Sequence, residues 1–450
     1  MGDTERPSQH EPAGPIVFTR AAHSLGVIVA QKNLGDALRA SGEQQSGIAE
    51  LEQAVSAYDE ALQELKGPRP KRAPLWGQVH LQKAIALRLC FARTHQASYL
   101  HEAETSFREA LSEFTPETTP VEWAKSELGL GLNFVEPSAS EGGFSYLTNA
   151  VQAFQRALTR KQDLPPETRS ALYEVLGTVL ARLGEASGPM QTPGAGVNAS
   201  HGGRIAILRQ ADAAFREALK DRNAGSSEWA ATQLSLGIVL TSVGTAERDS
   251  VTLRQAIECF QSALKVETRD RSPLKWAATQ TELGTALAMS AELAKGNKFV
   301  DAEATMYLDQ AIAAYREALT ERRSDIAPLD WAQTEHNLGN ALLSRAGYPG
   351  ATRTLVEDAA SAYRAALTVW TPNNRPVEWA YAQRDLGSML AALGELDQDV
   401  TLVRQAIDAL TLAVGGFEQL HEDSEAARTK NSLAMATDLL GKLPNSKSGK

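Results

Sequence analysis

The segment WAATQLSLGIVL (229–240), followed after a polar loop by LRQAIECFQSAL (253–264), recurs along the chain and decides its fold. The first phrase returns as WAATQTELGTAL from Trp276, WAQTEHNLGNAL from Trp331 and WAYAQRDLGSML from Trp379. The second phrase returns as LDQAIAAYREAL from Leu308 and VEDAASAYRAAL from Val356. Self-similarity at a regular interval is the signature of a repeat protein.

Each phrase has the spacing of an α-helix. Counted from the glycine of the first phrase, Trp lies at −8, Gln at −4 and Leu at −1 and +3, positions that share an arc of about 60° on a helix. The second phrase also places its apolar residues on one side. We therefore predict antiparallel helices A and B, whose small residues Gly237, Ala256 and Ala263 allow close approach. One such hairpin cannot bury its own apolar face, so the hairpins must stack.

This pattern resembles the tetratricopeptide repeat (TPR) family, through Leu236-Gly237 in helix A and Ala256, Phe260 and Ala263 in helix B. The family period is about 34 residues, whereas Trp229 and Trp276 are 47 residues apart. The chain is similar to the long-period Trp-Ala-x-x-Gln variety seen in bacterial proteins. The resemblance implies an all-α, right-handed α-solenoid of TPR-like helical hairpins. It names no partner, because members of the family bind unrelated proteins.

The repeats predict how the chain is organised. We expect a disordered N-terminal segment at 1–18, a single TPR-like solenoid at 19–440 and a flexible tail at 441–450. The solenoid should contain eight helix pairs and a C-terminal capping helix, in which Lys430 replaces the recurrent Gln. A stretch rich in Gly, Pro and Ser at 185–204 predicts a flexible insertion.

Composition excludes several classes of function. With 45 Lys and Arg against 55 Asp and Glu, the net charge is −10, which argues against binding to nucleic acid or to anionic membranes. The two cysteines, Cys90 and Cys259, exclude a disulfide framework and fit a reducing compartment. The N-terminus lacks a signal-peptide pattern, and no apolar run reaches the roughly 18 residues of a membrane span. We expect a cytoplasmic protein.

Motifs for catalysis are missing from the sequence. It has no phosphate-binding Gly-rich loop with its lysine, no His-Glu-x-x-His or Cys-x-x-Cys pair, and no Gly-x-Ser-x-Gly elbow. His95 and His101 flank a loop and read as solvated side chains. We therefore expect no enzyme activity, no metal site and no cofactor.

The residue at −4 of helix A is polar in nearly every repeat, which suggests either a ligand-binding ladder or a structural pairing. Because −4 is predicted to lie at the centre of the apolar side, a hydrogen bond to the backbone of an adjacent connection is the favoured interpretation. The residues at this position are Gln31, His80, Glu127, Tyr173, Gln233, Gln280, Glu335 and Gln383.

Positions −3, +1 and +5 of helix A point away from the apolar side, and in the TPR family this helix lines a concave groove. The early repeats place an apolar row there, which includes Leu81 and Ile85, and the later ones place polar residues. An exposed apolar row indicates a binding surface; the alternative is that neighbouring helices close over these positions. A carboxylate clamp is disfavoured, because Lys32 is accompanied by Asp36. The groove candidates are Leu128, Leu132, Leu234, Ile238, Thr281, Thr285, His336, Asn340, Arg384 and Ser388.

These features predict a non-catalytic scaffold or adaptor that binds a peptide or helix of a partner protein in the groove. The partner expected from them is amphipathic, with an acidic or amide-rich end that meets His336, Asn340 and Arg384. The alternative is a sensory or regulatory subunit whose superhelix binds a small ligand or peptide and controls a separate effector. The sequence leaves the partner's identity and the oligomeric state open.

Overall fold

The described chain is helical from end to end. The computed structural model describes residues 20–44, 47–66, 73–136, 143–186, 201–294, 301–350 and 352–443, and these contain seventeen α-helices and no strand. The all-α prediction is therefore confirmed. The chain divides into two compact units, residues 1–179 and 180–450.

Three segments of the predicted organisation lie wholly or mostly outside the described residues. They are the N-terminal segment at 1–18, most of the insertion at 185–204 and most of the tail at 441–450. The ends of the insertion are helical, because α7 continues to Ala186 and α8 begins at His201. The predicted tail likewise begins inside the last helix, which ends at Lys442.

The first unit contains three helical hairpins, α1–α2, α3–α4 and α5–α6, and the first part of α7. A short 3-10 segment, Leu158–Asp163, follows α6. The helices are α1 (Arg20–Gln44), α2 (Ala49–Glu64), α3 (Ala73–Thr94), α4 (Ala97–Leu111), α5 (Pro120–Val135), α6 (Gly143–Ala157) and α7 (Pro166–Ala186).

The second unit contains the last seven residues of α7, then α8, four further hairpins and a final helix. Its odd-numbered helices are A helices and its even-numbered helices are B helices. They are α8 (His201–Lys220), α9 (Ser227–Glu247), α10 (Ser250–Leu264), α11 (Pro273–Ala294), α12 (Asp301–Leu319), α13 (Pro328–Ala346), α14 (Arg353–Leu367), α15 (Pro376–Asp397), α16 (Val400–Gln419) and α17 (Asp423–Lys442).

Local sequence fixes where the helices start and stop. Ser226 caps α9 by accepting a hydrogen bond from the amide of Trp229 (3.1 Å), and Asp249 caps α10 by accepting from the amide of Val251 (2.9 Å). Proline opens α13 and α15, where its missing N–H costs nothing. The turn between α9 and α10 is made by Arg248, whose φ of 56° is left-handed.

Close approach of A and B within each hairpin depends on the glycine of the first phrase. A Cβ atom at Gly237 would lie 2.5 Å from Cε1 of Phe260, and one at Gly339 would lie 2.7 Å from Cε1 of Tyr363. The prediction that small residues let the helices meet is thus confirmed. The aromatic ring at this position of the B helix is buried wherever it occurs: Tyr58, Phe107, Phe154, Phe215, Phe260, Tyr315 and Tyr363.

The A helices are buried on more sides than the sequence predicts. In α9 the fully buried residues near the N-terminus are Ala230 and Thr232, at −7 and −5, whereas Trp229 and Gln233 are only half-buried. The prediction that −8 and −4 form the centre of the buried side is therefore wrong for most repeats. The reason is that each A helix packs between its own B helix and the B helix before it, so two small residues face the tightest contacts.

A further core position lies at or just beyond the C-terminal end of the B helices. Four residues beyond the last recurrent alanine, Leu65, Phe114, Trp370 and Phe417 are all buried and fill the space beneath the next A helix. After α8, α10 and α12 this position instead carries a charged residue: Arg222, Glu267 and Arg322.

One described helix, α16, is long and apolar enough to cross a membrane by length and composition alone. Arg404 and Asp408 interrupt its apolar residues, so the expectation that no apolar run reaches about 18 residues is not contradicted by α16. The helix packs between α15 and α17, with Val403, Leu410 and Phe417 buried there. Packing within the second unit accounts for these apolar residues.

Candidate functional site

The A helices of the second unit share a set of positions that the surrounding helices leave partly open. The backbones of α9 and α11, of α11 and α13, and of α15 and α17 approach each other directly. Positions −6, −2, +1 and +5 share an arc of about 60°, and all but one of their residues are half-buried or exposed. We call this set the open face: Ala231, Ser235, Ile238 and Ser242 of α9; Ala278, Glu282, Thr285 and Met289 of α11; Gln333, Asn337, Asn340 and Ser344 of α13; Tyr381, Asp385, Ser388 and Ala392 of α15.

The groove candidates of the second unit fall into two groups. Those at +1 belong to the open face and are half-buried: Ile238, Thr285, Asn340 and Ser388. Those at −3 lie beside the next A helix, at the edge of the open face: Leu234, Thr281, His336 and Arg384. The −3 positions are therefore contact points between repeats as well as part of the surface.

Thr281 shows how the −3 position joins two repeats. It is 3% exposed, and its hydroxyl lies 3.3 Å from that of Thr334 on α13. The guanidinium of Arg322, from the loop after α12, donates to both hydroxyls at 3.2 and 3.3 Å. The predicted groove role of Thr281 is thus replaced by a buried contact between α11 and α13.

His336 and Asn340 belong to a directed series of polar contacts that we call the polar chain. The hydroxyl of Tyr363 donates to Oδ1 of Asn340 (2.8 Å), so the amide nitrogen of Asn340 faces Nδ1 of His336 at 3.4 Å. An acceptor at Nδ1 leaves the imidazole proton on Nε2, which lies 3.4 Å from Oδ2 of Asp385. That last pair lacks hydrogen-bond geometry, and Nε2 is buried without a partner.

The polar chain continues from α15 to the capping helix α17. Asp385, which is 8% exposed, accepts from Nε of Arg384 at 2.8 Å. A second nitrogen of Arg384 donates to Glu425 (2.9 Å), and the guanidinium lies 4.8 Å from the ring centre of Tyr381. Two carboxylates therefore already balance the charge of Arg384. The expectation that Arg384 offers a cation to an acidic partner is not supported by these contacts.

In the first unit the apolar row is more buried than the sequence predicts. Leu81 is 4% exposed, so its expected place on an open surface is wrong. Leu128, Leu132 and Ile85 are half-buried. The cause is that the A helices α3 and α5 lie in direct contact and close over part of this row.

In two repeats the residue at −4 of helix A pairs with a side chain of its own B helix. Gln31 donates to Glu60 at 2.6 Å, and Glu127 forms a two-pronged ion pair with Arg156 at 2.7 and 2.9 Å. The predicted backbone partner is therefore wrong for these two residues. Glu60 and Arg156 each stand two residues after the aromatic residue of their B helix. The spacing of residues along the sequence does not show that this position faces −4 of helix A.

Glu335 and His80 are among the residues at −4 without such a partner. In α14 the equivalent position is Ala365, which offers no polar atom, and burial raises the pKa of Glu335 to about 7. His80 is 9% exposed, both of its ring nitrogens are without a hydrogen bond, and burial lowers its pKa to about 4. His80 is therefore neutral at physiological pH.

The described residues contain no group of three or more His, Cys, Asp or Glu side chains placed to hold a metal ion. Cys90 and Cys259 lie in different units, and burial raises the pKa of each thiol to about 11. Both thiols are protonated at neutral pH, which makes them poor nucleophiles.

Sequence reasoning missed the −2 row of the open face, whose charged members are Glu282 and Asp385. The helical angle contains the signal. Counted from the repeat glycine, −2 lies about 20° from +5, on the side of helix A opposite the buried face. Glu282 is half-buried, and among the described residues it has neither a hydrogen bond nor an ion pair within 4 Å. Burial raises the pKa of Glu282.

No protein-family model and no curated protein matches this chain. Among solved structures, it is similar to the C-terminal part of a TPR repeat-containing protein from Cytophaga hutchinsonii, with 12% identity and a TM-score of 0.43 over 78% of this chain and 98% of that one. It is also similar to the apo form of RapI (12%, 0.42, over 94% and 99%) and to the nuclear import adaptor Nro1 of S. pombe (12%, 0.41, over 77% and 95%). At TM-scores below 0.5 these likenesses identify neither a partner nor a site.

Proposed function

We propose that this chain is a non-catalytic scaffold or adaptor that binds a peptide or helix of a partner protein on the open face of the second unit. The observation that carries the proposal is that this face stays partly open across four successive A helices. It combines apolar side chains, Ile238 and Met289, with polar ones such as Thr285 and Asn337. Grooves that bind extended peptides or amphipathic helices have this mixture.

The energetics of such a face are adequate for reversible binding. Burying three or four apolar side chains contributes roughly 1.5–3 kcal/mol each before the cost of association is subtracted. Polar contacts with the peptide must supply the rest of the roughly 8 kcal/mol that a Kd of about 1 μM requires. Such an affinity fits an adaptor that exchanges its partners.

The experiment is to pan a library of short random peptides against the full chain and to measure the affinity of recovered peptides by fluorescence anisotropy. Ile238→Asp places a charge on the open face, and Val251→Asp makes the same kind of change on the exposed side of the B helix α10, where Val251 is 55% exposed. We expect Ile238→Asp to raise the Kd by at least about 10-fold and Val251→Asp to leave it unchanged. Equal effects of the two variants, with both proteins folded, would contradict the proposal.

A second candidate function is a sensor whose repeats change their spacing when a ligand binds. The contact between His336 and Asp385 favours it, because the two side chains are 3.4 Å apart without hydrogen-bond geometry and a small movement of α15 would close the bond. Small-angle scattering of the chain with and without a recovered peptide separates the two roles. A changed radius of gyration indicates a sensor, and an unchanged one indicates a rigid scaffold.

A further inference from the structure

The first A helix, α1, leaves exposed a side that every later A helix buries. Its residues at −5 and +2, Ala30 and Ala37, are exposed, and Leu34 at −1 is 50% exposed. These three positions share an arc of about 60°, and we call them the unpaired side of α1. In each later A helix the residues at −5 and +2 are at most 6% exposed, counting from Ala84 in α3 and from Ala434 in α17, where alanine replaces the glycine.

In the later repeats the preceding B helix packs on this side. α2 contacts α3, and Ala61 of α2 belongs to one buried cluster with Val79 at −5 and Ala86 at +2 of α3. Ala366 of α14 likewise clusters with Ala382 at −5 of α15. Among the described residues no B helix precedes α1. The unpaired side is therefore the place where the repeat puts a B helix.

The residue types on the unpaired side are those of a buried contact. The sequence Leu-Gly-x-Ala-Leu at 34–38 recurs at 338–342 in α13, which packs on α12 and buries both leucines and the alanine. The last helix, α17, differs: no B helix follows it among the described residues, and it exposes the polar Lys430 and Thr437 at −4 and +3. A solenoid end that meets only solvent needs such polar residues. The unpaired side of α1 has none.

The neighbouring helix α2 offers a polar contact to an occupant of this side. In the second unit an arginine directly after the B-helix aromatic donates to the next B helix, five residues before its aromatic. These pairs are Arg216 with Gln255 (2.9 Å) and Arg316 with Asp358 (2.8 Å). The same position in α2 is Gln53, which is exposed. Because α2 contains five acidic residues and no basic one, its charge also favours an arginine there.

We propose that the N-terminal end of the first unit binds an amphipathic helix of a partner protein, which takes the place of a preceding B helix. The helix has the chemistry of this chain's own B helices: an aromatic residue, alanines four residues before and three residues after it, and an arginine directly after it. Its apolar side covers Ala30, Leu34 and Ala37, and its arginine reaches Gln53. The open face belongs to the other unit, so this inference goes beyond the proposed function and does not depend on it.

The helix α12 supplies the probe. It packs against the same Leu-Gly-x-Ala-Leu sequence in α13, and it carries Tyr315 with Ala311, Ala318 and Arg316 at the required positions. A synthetic peptide of residues 304–322 contains all four. An isolated helix of this kind has little stability in water, so its helix content in circular dichroism should rise on binding. A second copy of the chain is a poorer match, because its B helices are already packed within their own repeats.

The labelled peptide is titrated against the full chain by fluorescence anisotropy. Leu34→Asp charges the unpaired side, and Leu25→Asp makes the same change on the opposite side of α1, where Leu25 is 55% exposed. We expect Leu34→Asp to raise the Kd by at least about 10-fold and Leu25→Asp to leave it unchanged. Ala318→Asp in the peptide should weaken binding by at least about 10-fold as well. Gln53→Ala should weaken binding of the unchanged peptide but not of its Arg316→Ala form.

Both chain variants change exposed residues, so they should melt as the unchanged chain does. Absence of binding, or binding that survives Leu34→Asp and is lost with Ile238→Asp, would overturn the inference. Analytical ultracentrifugation of the chain alone tests a second copy: a dimer that Leu34→Asp converts to a monomer would assign the unpaired side to self-association. Peptide binding that appears only after residues 1–19 are removed would assign it to those residues. Each of these results would overturn the inference and leave the proposed function standing.

Discussion

Gly237 lies directly against the ring of Phe260, so that a Cβ atom at the glycine would be 2.5 Å from Cε1 of the ring. The ring is fully buried between α9 and α10 and has no free space to move into. This contact sets the distance between the two helices of the hairpin. The same pairing recurs in neighbouring hairpins, as at Gly339 and Tyr363.

Replacing Gly237 with Ala should therefore destabilise the protein. Overpacking a tight core contact costs about 1–3 kcal/mol, and the better helix propensity of Ala returns up to about 1 kcal/mol. We expect a net loss of about 1–2 kcal/mol in urea unfolding. Gly415 in α16 has no atom within 4 Å of the equivalent Cβ position, so Gly415→Ala should be neutral or stabilising. Equal destabilisation by the two changes would argue against the packing explanation.

A comparison of two aromatic truncations tests which ring carries the repeat. Phe260 is fully buried, whereas Trp276 is half-buried beneath Arg269. Phe260→Ala should cost about 3–5 kcal/mol, and Trp276→Ala should cost less despite removing the larger ring. Hydrogen exchange should rise first in α9–α11 for Phe260→Ala, because repeat stability depends on nearest neighbours. A larger loss for Trp276→Ala would contradict this order.

The sequence predicts the repeat well because the glycine and the B-helix aromatic are fixed by local geometry. It predicts the surface less well, since helical angle alone does not say how far the next helix closes over a residue. Leu81 and Thr281 look open by angle and are buried by the neighbouring A helix. The core position four residues beyond the last recurrent alanine of the B helix has no periodic signal of its own: Trp370 occupies it after α14, whereas Arg322 occupies it after α12. Asp385 and Glu282 stand at −2 of their A helices. Helical angle places −2 beside +5 on the open face, so their position could have been predicted from the sequence.

The pH dependence of stability should report on Glu335. Burial raises the pKa of this carboxyl to about 7, so the folded state binds its proton more tightly than the unfolded state. The resulting stabilisation is complete at acidic pH and is lost as the pH rises from about 4.5 to 7. Glu335→Gln should remove this loss and stabilise the protein by about 1 kcal/mol at pH 8, allowing for solvent screening. At pH 5 we expect the two proteins to be nearly equal.

Glu127→Gln provides the control for that experiment. Glu127 is ion-paired with Arg156, whose side chain is 48% exposed, so its neutralisation should destabilise the protein by about 1 kcal/mol at pH 8. A gain of stability for Glu127→Gln, or a pH-independent effect of Glu335→Gln, would show that the missing B-helix partner is not the cause of the pH-dependent loss of stability at Glu335.

Arg384 should matter for the attachment of the capping helix. Arg384→Met leaves the carboxylates of Asp385 and Glu425 side by side without their shared cation, and the loss of a partner from a buried charge is destabilising. We expect faster hydrogen exchange in α17 before the rest of the second unit is affected. Arg428 also contacts Glu425 but is 75% exposed, so Arg428→Met should leave exchange in α17 unchanged. Uniform acceleration along the unit would contradict this assignment.

The central claim is that the open face of the second unit contacts the partner, and photo-crosslinking tests it most directly. A benzophenone side chain is introduced at Ser242 on the open face of α9 or at Gln261 on the exposed side of α10, and each protein is irradiated with a recovered peptide. The claim predicts a crosslinked product from position 242, suppressed by excess unlabelled peptide, and none from position 261. Crosslinking from position 261 alone would place the partner on the B helices and contradict it.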